Sequence, residues 1–211
     1  MLGIKLNKRI MMALMFIGNV VLSTSSLFMP FRRYGPDFTA YVNQAGQFAS
    51  GQNTYSKLSS IQGQCFYPAG HLYTYVPVYW LWLKTEHAEH IWKVCHYIFH
   101  SLIQLLIAKL SYSYFKLAPL KAQLICFMLL GNEEIREFNA YLFNDTFLAL
   151  YAIFSVYLVS KNRPILAALF LSMSCSIKAG AMLLLPCFLG WIQYIYGTKR
   201  LVISVIVVVG F

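Results

Sequence analysis

Long apolar runs broken by short basic or polar stretches dominate this chain, and their lengths predict membrane-crossing helices. Ile10 to Met29 is apolar after a basic start at Lys5, Lys8 and Arg9. That pattern fits either a cleaved signal peptide or a signal-anchor, and a run of about 20 apolar residues is spanning length, which favours an uncleaved anchor with a cytosolic N-terminus. Phe66 to Leu83 predicts a second span, rich in Tyr and Trp as interfacial ends are, with Pro68 and Pro77 marking its start or a kink. Ile91 to Phe115 predicts a third. Leu120 to Leu130 is apolar but only 11 residues long, a length that favours a segment dipping into the membrane and returning, so 119–141 is expected to be re-entrant. Leu142 to Ser160 predicts a fourth span. Ile165 to Ile177 and Ala179 to Tyr196 predict a hairpin with Lys178 at its tip. Leu201 to Phe211 begins a further apolar run at which the sequence stops, so 1–211 is expected to be a single transmembrane domain forming the N-terminal part of a longer protein.

One long polar stretch interrupts the pattern, the loop at 30–66. Within it Pro36 and Asp37 predict a helix start, with Asp37 as the cap. Phe38, Tyr41, Val42, Ala45 and Phe48 recur at helical spacing, while Asn43, Gln44 and Gln47 point the other way and Gly51 ends the run. The expectation is an amphipathic helix lying on the membrane surface.

Composition agrees with the pattern: 59% of the 211 residues are hydrophobic and 11% charged, where a soluble domain carries about a quarter charged. The net charge of +10 does not point to nucleic acid. The cations sit in short clusters between apolar runs (Lys161 and Arg163; Lys199 and Arg200), as topology signals on the cytoplasmic side do. Five cysteines without a CxxC pair leave the redox compartment open.

With the basic clusters in the cytosol, the 30–66 loop is luminal. Asp37 and Asp145, the only two aspartates, then share the luminal edge with Glu133, Glu134, Arg136, Glu137 and Lys178. Ionisable groups at the edge of a span are candidates for function. Interfacial snorkelling accounts for a lone lysine such as Lys178 equally well, but a short carboxylate cannot snorkel far. His96 and His100 stand four apart on the third span, a spacing that could offer two metal ligands; without a third they read as core or interface residues. Asn144-Asp145-Thr146 is formally a glycosylation sequon, placed too near the bilayer to be modified.

Pro36-Asp37-Phe38-Thr39-Ala40-Tyr41-Val42, Tyr55-Ser56-Lys57-Leu58, Phe66-Tyr67-Pro68-Ala69-Gly70, Leu142-Phe143-Asn144-Asp145 and Ser176-Ile177-Lys178 occur in that order. In order and spacing the set resembles the asparagine-linked glycosylation protein 3 family, dolichyl-phosphate-mannose-dependent α-1,3-mannosyltransferases of N-glycan precursor assembly. The resemblance runs from about Gly35 to Pro186. It departs from the family pattern at Gln62-Gly63-Gln64, at Asn132-Glu133-Glu134-Ile135-Arg136, where the family is basic, at Tyr141 and at Ala179-Gly180.

The resemblance implies an all-α polytopic membrane protein of GT-C glycosyltransferase architecture, with about six to seven membrane segments. It implies an endoplasmic reticulum enzyme with a luminal site that moves mannose, with inversion, from dolichyl-phosphate mannose to a dolichol-linked oligosaccharide. Asp37 is the expected base, Lys178 and more weakly Arg136 the expected phosphate partners. Asn144, Asp145 and Tyr67 are expected to bind or orient substrate. No metal and no cofactor beyond the donor is expected; membrane lipids are expected partners, nucleic acid is not, and the protein is expected to be a monomer. The alternatives are a mannosyltransferase of the glycosylphosphatidylinositol pathway, a non-catalytic or inactive membrane relative, and a transporter. A transporter gathers its polar groups near the bilayer midplane, whereas these collect at an edge.

Overall fold

The computed structural model describes residues 10, 13, 14, 17, 18, 21, 36–131 and 141–210. Helix α1 spans Pro36–Ala49 and is followed by a one-turn 3-10 helix at Tyr55–Lys57. The antiparallel pair β1 (Ser59–Ser60) and β2 (Gly63–Gln64) comes next. The remaining helices are α2 (Ala69–Lys84), α3 (Ala88–Ser113), α4 (Pro119–Gly131), α5 (Asp145–Ser160), α6 (Pro164–Ile177) and α7 (Leu185–Gly210), with a second 3-10 stretch at Ala179–Leu184. The helix Ala88–Ser113 is long and apolar enough to cross a membrane, and the run Ala179–Gly210 passes the same test of length and composition although it is broken at Gly197. Large apolar side chains stand exposed along these runs, among them Ile91, Val94, Ile98, Tyr194 and Val209. An apolar surface spread over several helices belongs in lipid, and the chain is a helical membrane protein.

The amphipathic helix forms where the spacing predicts, but Pro36 is its first residue. Proline suits that position because its missing N–H would be unpaired there anyway. Asp37 is therefore the second residue of the helix and not its cap. The apolar face packs on α2: Phe38 meets Trp82 at 5.9 Å and Tyr41 meets Tyr75 at 5.0 Å between ring centroids. Gly46 fits against the Tyr79 ring, so close that a Cβ there would meet ring carbons at 2.5–3.0 Å.

The expected polar face is not free either. Gln44 is 3% exposed, because the β1–β2 turn folds over it. Its amide lies 3.4 Å from Ser60 Oγ. Gln47 donates to the Ser59 carbonyl at 2.6 Å and accepts from the Ser59 N–H at 3.0 Å. A buried amide needs partners, and the two glutamines obtain them by docking the turn.

Behind this layer α5 and α6 form an antiparallel hairpin. Ser155 Oγ donates to Ala167 O and Ser174 Oγ to Leu148 O, both at 2.8 Å. Ala167 and Ala168 are fully buried in the interface, and small residues let two apolar helices approach without the drive that water supplies. Helix α7 is broken at Gly197 (φ 76°, ψ 176°), a conformation glycine adopts without a Cβ clash. After the break the chain returns along α6, where Ser172 Oγ donates to Val208 O at 3.0 Å. The break falls where the apolar runs are expected to be interrupted, between Tyr196 and Leu201.

Pro119–Gly131 is one helix against α3, with Cys126 Sγ 3.3 Å from Gln104 O. The return of the expected re-entrant segment, with Glu133, Glu134, Arg136 and Glu137, lies outside the described residues.

Candidate functional site

Three chain segments meet at one end of α2, α5 and α6. The first is the Tyr67-Pro68-Ala69-Gly70 stretch leading into α2. Pro68 occupies the cap position with φ −60° and ψ 164°, angles that its ring permits. Gly70 then lies against the C-terminal end of α6: a Cβ built there would stand 2.7 Å from Ser176 Cβ and 2.9 Å from its carbonyl oxygen. Only a glycine allows this approach, which sets α2 beside Lys178.

The second segment is the turn before α5. Leu142 adopts a positive φ of 58°, and its carbonyl accepts from the Tyr75 hydroxyl at 3.2 Å. Asn144 precedes the helix, and its carbonyl accepts from the Phe147 and Leu148 N–H groups. Asp145 is the first helical residue, where the positive end of the helix dipole favours a carboxylate.

The third segment is the end of α6. Lys178 leaves the helix in an extended conformation and turns its ammonium onto Asp145, at 2.9 Å from Oδ1 and 3.1 Å from Oδ2. Their side chains are 41% and 26% exposed. The pair is open to an incoming group, and an ammonium with three donors keeps capacity beyond one carboxylate.

Beneath the pair lies an aromatic cluster. His71 and Asn144 are fully buried and joined by a 3.1 Å contact between Asn144 Nδ2 and His71 Nδ1. Tyr67 stacks on His71 at 4.4 Å, and Tyr41 meets it edge-on at 4.7 Å. The Tyr41 and Tyr67 hydroxyls are 3.3 Å apart. Burial pushes the Tyr41 hydroxyl far above the ordinary tyrosine value, helped by the bond to Tyr67 and by the charge of Asp37. Asp37 is partly exposed at the start of α1, one helical turn before Tyr41, and Asp145 starts α5 directly after Asn144. The two carboxylates therefore border one cluster, although no ion pair joins Asp37 to Lys178 among the described residues.

A cleft of about 460 Å³ opens beside these groups, lined by Gly70, Trp92, Phe147, Tyr151 and Ile177 among others. Apolar walls next to a charged pair suit a ligand that is part lipid, part polar.

Of the expected site residues, the structure brings together Asp145 and Lys178 directly, Asn144 and Tyr67 through His71, and Asp37 through Tyr41. Arg136 lies outside the described residues. His71 had not been anticipated. The signal was present: His71 directly follows Tyr67-Pro68-Ala69-Gly70, and His71 and Tyr75 are four apart, which places them on one helical face. His96 and His100 do not converge on a shared group. His100 Nε2 faces Gln104 at 2.8 Å, and His96 meets the stacked Trp92 and Phe147 rings edge-on.

Comparison with known proteins adds a separate observation. The family model described as ALG3 protein matches residues 13–211. The chain belongs to the ALG3 family. Among curated members it is 28% identical over 195 residues to the probable Dol-P-Man:Man(5)GlcNAc(2)-PP-Dol alpha-1,3-mannosyltransferase of Dictyostelium discoideum, covering 78% of this chain and 43% of that protein. It is likewise 28% identical over 158 residues to the enzyme of that name from Kluyveromyces lactis, covering 71% of this chain and 33% of that one. A Drosophila melanogaster relative named as the same transferase is 27% identical over 156 residues, covering 72% and 31%. The chain thus spans about a third to two fifths of the length of these ALG3 relatives. No solved structure gives a significant match.

Proposed function

We propose that this ALG3-family chain carries part of an α-1,3-mannosyltransferase of the endoplasmic reticulum membrane, with a luminal site in a GT-C architecture. Donor and acceptor are dolichyl-phosphate mannose and the dolichol-linked five-mannose oligosaccharide, as named for its relatives. The observation that carries the reading is the Lys178–Asp145 pair, held open at a helix edge between the aromatic cluster and an apolar cleft. A dolichyl phosphate needs those two surroundings at once: a cation for the phosphate and an apolar wall for the prenyl chain.

In this reading Lys178 stabilises the phosphate as the glycosidic bond breaks, and Asp145 holds the ammonium in place. A preorganised charge of this kind contributes on the order of 10²–10³ in rate. Inversion requires a base on the opposite side of the sugar carbon to take the proton of the attacking hydroxyl. Asp37, on a helix fixed to α2 and bordering the same cluster, is assigned that role. Asn144 and Tyr67 hold His71 and the rings in place beneath the sugar. The protein acts as a monomer and needs no cofactor beyond its donor.

The test is Asp37→Asn in the full-length protein, which removes the base at almost constant volume. Transfer from labelled dolichyl-phosphate mannose should fall by about 10²-fold or more, with unchanged protein in the membrane fraction. Turnover near wild type would remove Asp37 from the mechanism.

A further inference from the structure

The opposite end of α6 holds a second cleft, for which the mechanism above has no use. A cleft of about 610 Å³ lies between the start of α6 and the Gly197 turn of α7, lined by Asn162, Arg163, Leu166, Tyr196, Arg200 and Val207 among others. Arg163 and Lys178 flank a helix of 14 residues, so the cleft is about 20 Å from the Lys178–Asp145 pair along the helix axis.

Positive charge gathers at this place. Arg163 precedes the first residue of α6, where the positive end of the helix dipole disfavours a cation. Arg200 approaches the same cleft from the far side of the turn. Among the described residues neither guanidinium forms an ion pair. Lys161, by contrast, has its ammonium over the Tyr157 ring at 5.4 Å. Two cations and a helix N-terminus thus border one cleft, with no ion-pair partner among the described residues.

The cleft is also built, not merely a gap between mobile side chains. Gly197 reverses the chain, and Tyr196 ties the turn to the α5–α6 connection by donating to Val159 O at 2.9 Å, with Asn162 Oδ1 at 3.1 Å. The arginines stand at its rim, whereas Ile165, Leu166, Leu169 and Val207 supply apolar walls. Anionic head and apolar tail are both accommodated, which is the chemistry of a membrane phospholipid. Basic pockets between helices at a membrane face bind such headgroups.

We propose that this cleft binds the phosphate headgroup of an anionic glycerophospholipid, from the leaflet opposite the Lys178–Asp145 site. The guanidiniums take the phosphate in forked hydrogen bonds, and the first acyl segment lies along Leu166, Leu169 and Val207.

The test uses the full-length protein in mild detergent, titrated with phosphatidylserine or phosphatidylcholine and read by native mass spectrometry. Phosphatidylserine should bind at one site in preference, and Arg163→Gln/Arg200→Gln should weaken it about twenty-fivefold, about fivefold for each arginine. Lys199→Gln, which alters a neighbouring cation outside the cleft, should keep the preference and so separates the site from general surface charge. Retained mannosyl transfer in the double variant shows that it folds; if it does not fold, Arg200→Gln alone, with its fivefold effect, decides. Equal binding of the two lipids, or an unaltered preference in a folded variant, would overturn the proposal. Displacement of the lipid by inorganic phosphate would assign the cleft to a soluble phosphate instead and would also overturn it.

Discussion

Gly70→Ala isolates the contact that sets α2 beside Lys178. The added Cβ would lie 2.7 Å from Ser176 Cβ and 2.9 Å from Ser176 O, against an optimum near 3.5–4.0 Å between carbon atoms. A new Ser176 rotamer removes the clash with its hydroxyl but moves neither Cβ nor the carbonyl. The helices must therefore separate by roughly 0.5–1 Å. Overpacking of this kind costs about 1–3 kcal/mol, and the better helix propensity of alanine offsets about 0.5–1 kcal/mol of it. Stability should fall only modestly. Catalysis should suffer more, because Lys178 is two residues from Ser176, and a shift approaching 1 Å at a reacting group costs about 10²-fold. The assay compares transfer from dolichyl-phosphate mannose in membranes with thermal unfolding of the detergent-solubilised full-length protein. A large loss of transfer with a small loss of stability is expected. Wild-type transfer and unfolding temperature together would show that the close approach does not position Lys178.

Two further variants follow from the same geometry. Asp145→Asn removes the charge that holds the Lys178 ammonium, so transfer should drop at least about tenfold, with the donor KM rising more than the acceptor KM; an acceptor-only defect would contradict the phosphate role of Lys178. Tyr41 is held neutral by burial, so the stability it contributes is complete below the ordinary tyrosine pKa of 10.0 and is lost as the pH rises above it. Thermal unfolding should fall off on the alkaline side of that value, and Tyr41→Phe should remove part of this fall while costing about 1 kcal/mol near neutral pH through the lost bond to Tyr67. An unchanged alkaline limb in that variant would contradict the assignment.

Much of the helical framework could be read from the chain. The 3.6-residue spacing of Phe38, Tyr41, Val42, Ala45 and Phe48 located α1, and the basic breaks located the ends of α5 and α6. What periodicity could not supply was contact at a distance. Gln44 looks solvent-facing on a helical wheel, yet a turn formed 15–20 residues later covers it. Ala179 continues an apolar run, but the chain leaves α6 at Lys178 and tightens into a 3-10 stretch before α7 begins. The site divides in the same way. Asp37, Asp145 and Lys178 stood out because ionisable residues are rare in such a sequence. His71 did not, since a histidine following an apolar motif looks like packing until Asn144 and two tyrosines are seen around it.

The central claim, that this chain belongs to the enzyme adding an α-1,3 mannose to the five-mannose lipid-linked precursor, is tested most directly in microsomes from cells lacking the protein. Released lipid-linked glycans, sized and digested with linkage-specific mannosidases, should show the five-mannose species accumulating. Re-expression of the wild-type full-length protein should convert it to larger glycans, and the Asp37→Asn form should not. A normal profile of full-length precursor in cells lacking the protein would contradict the account.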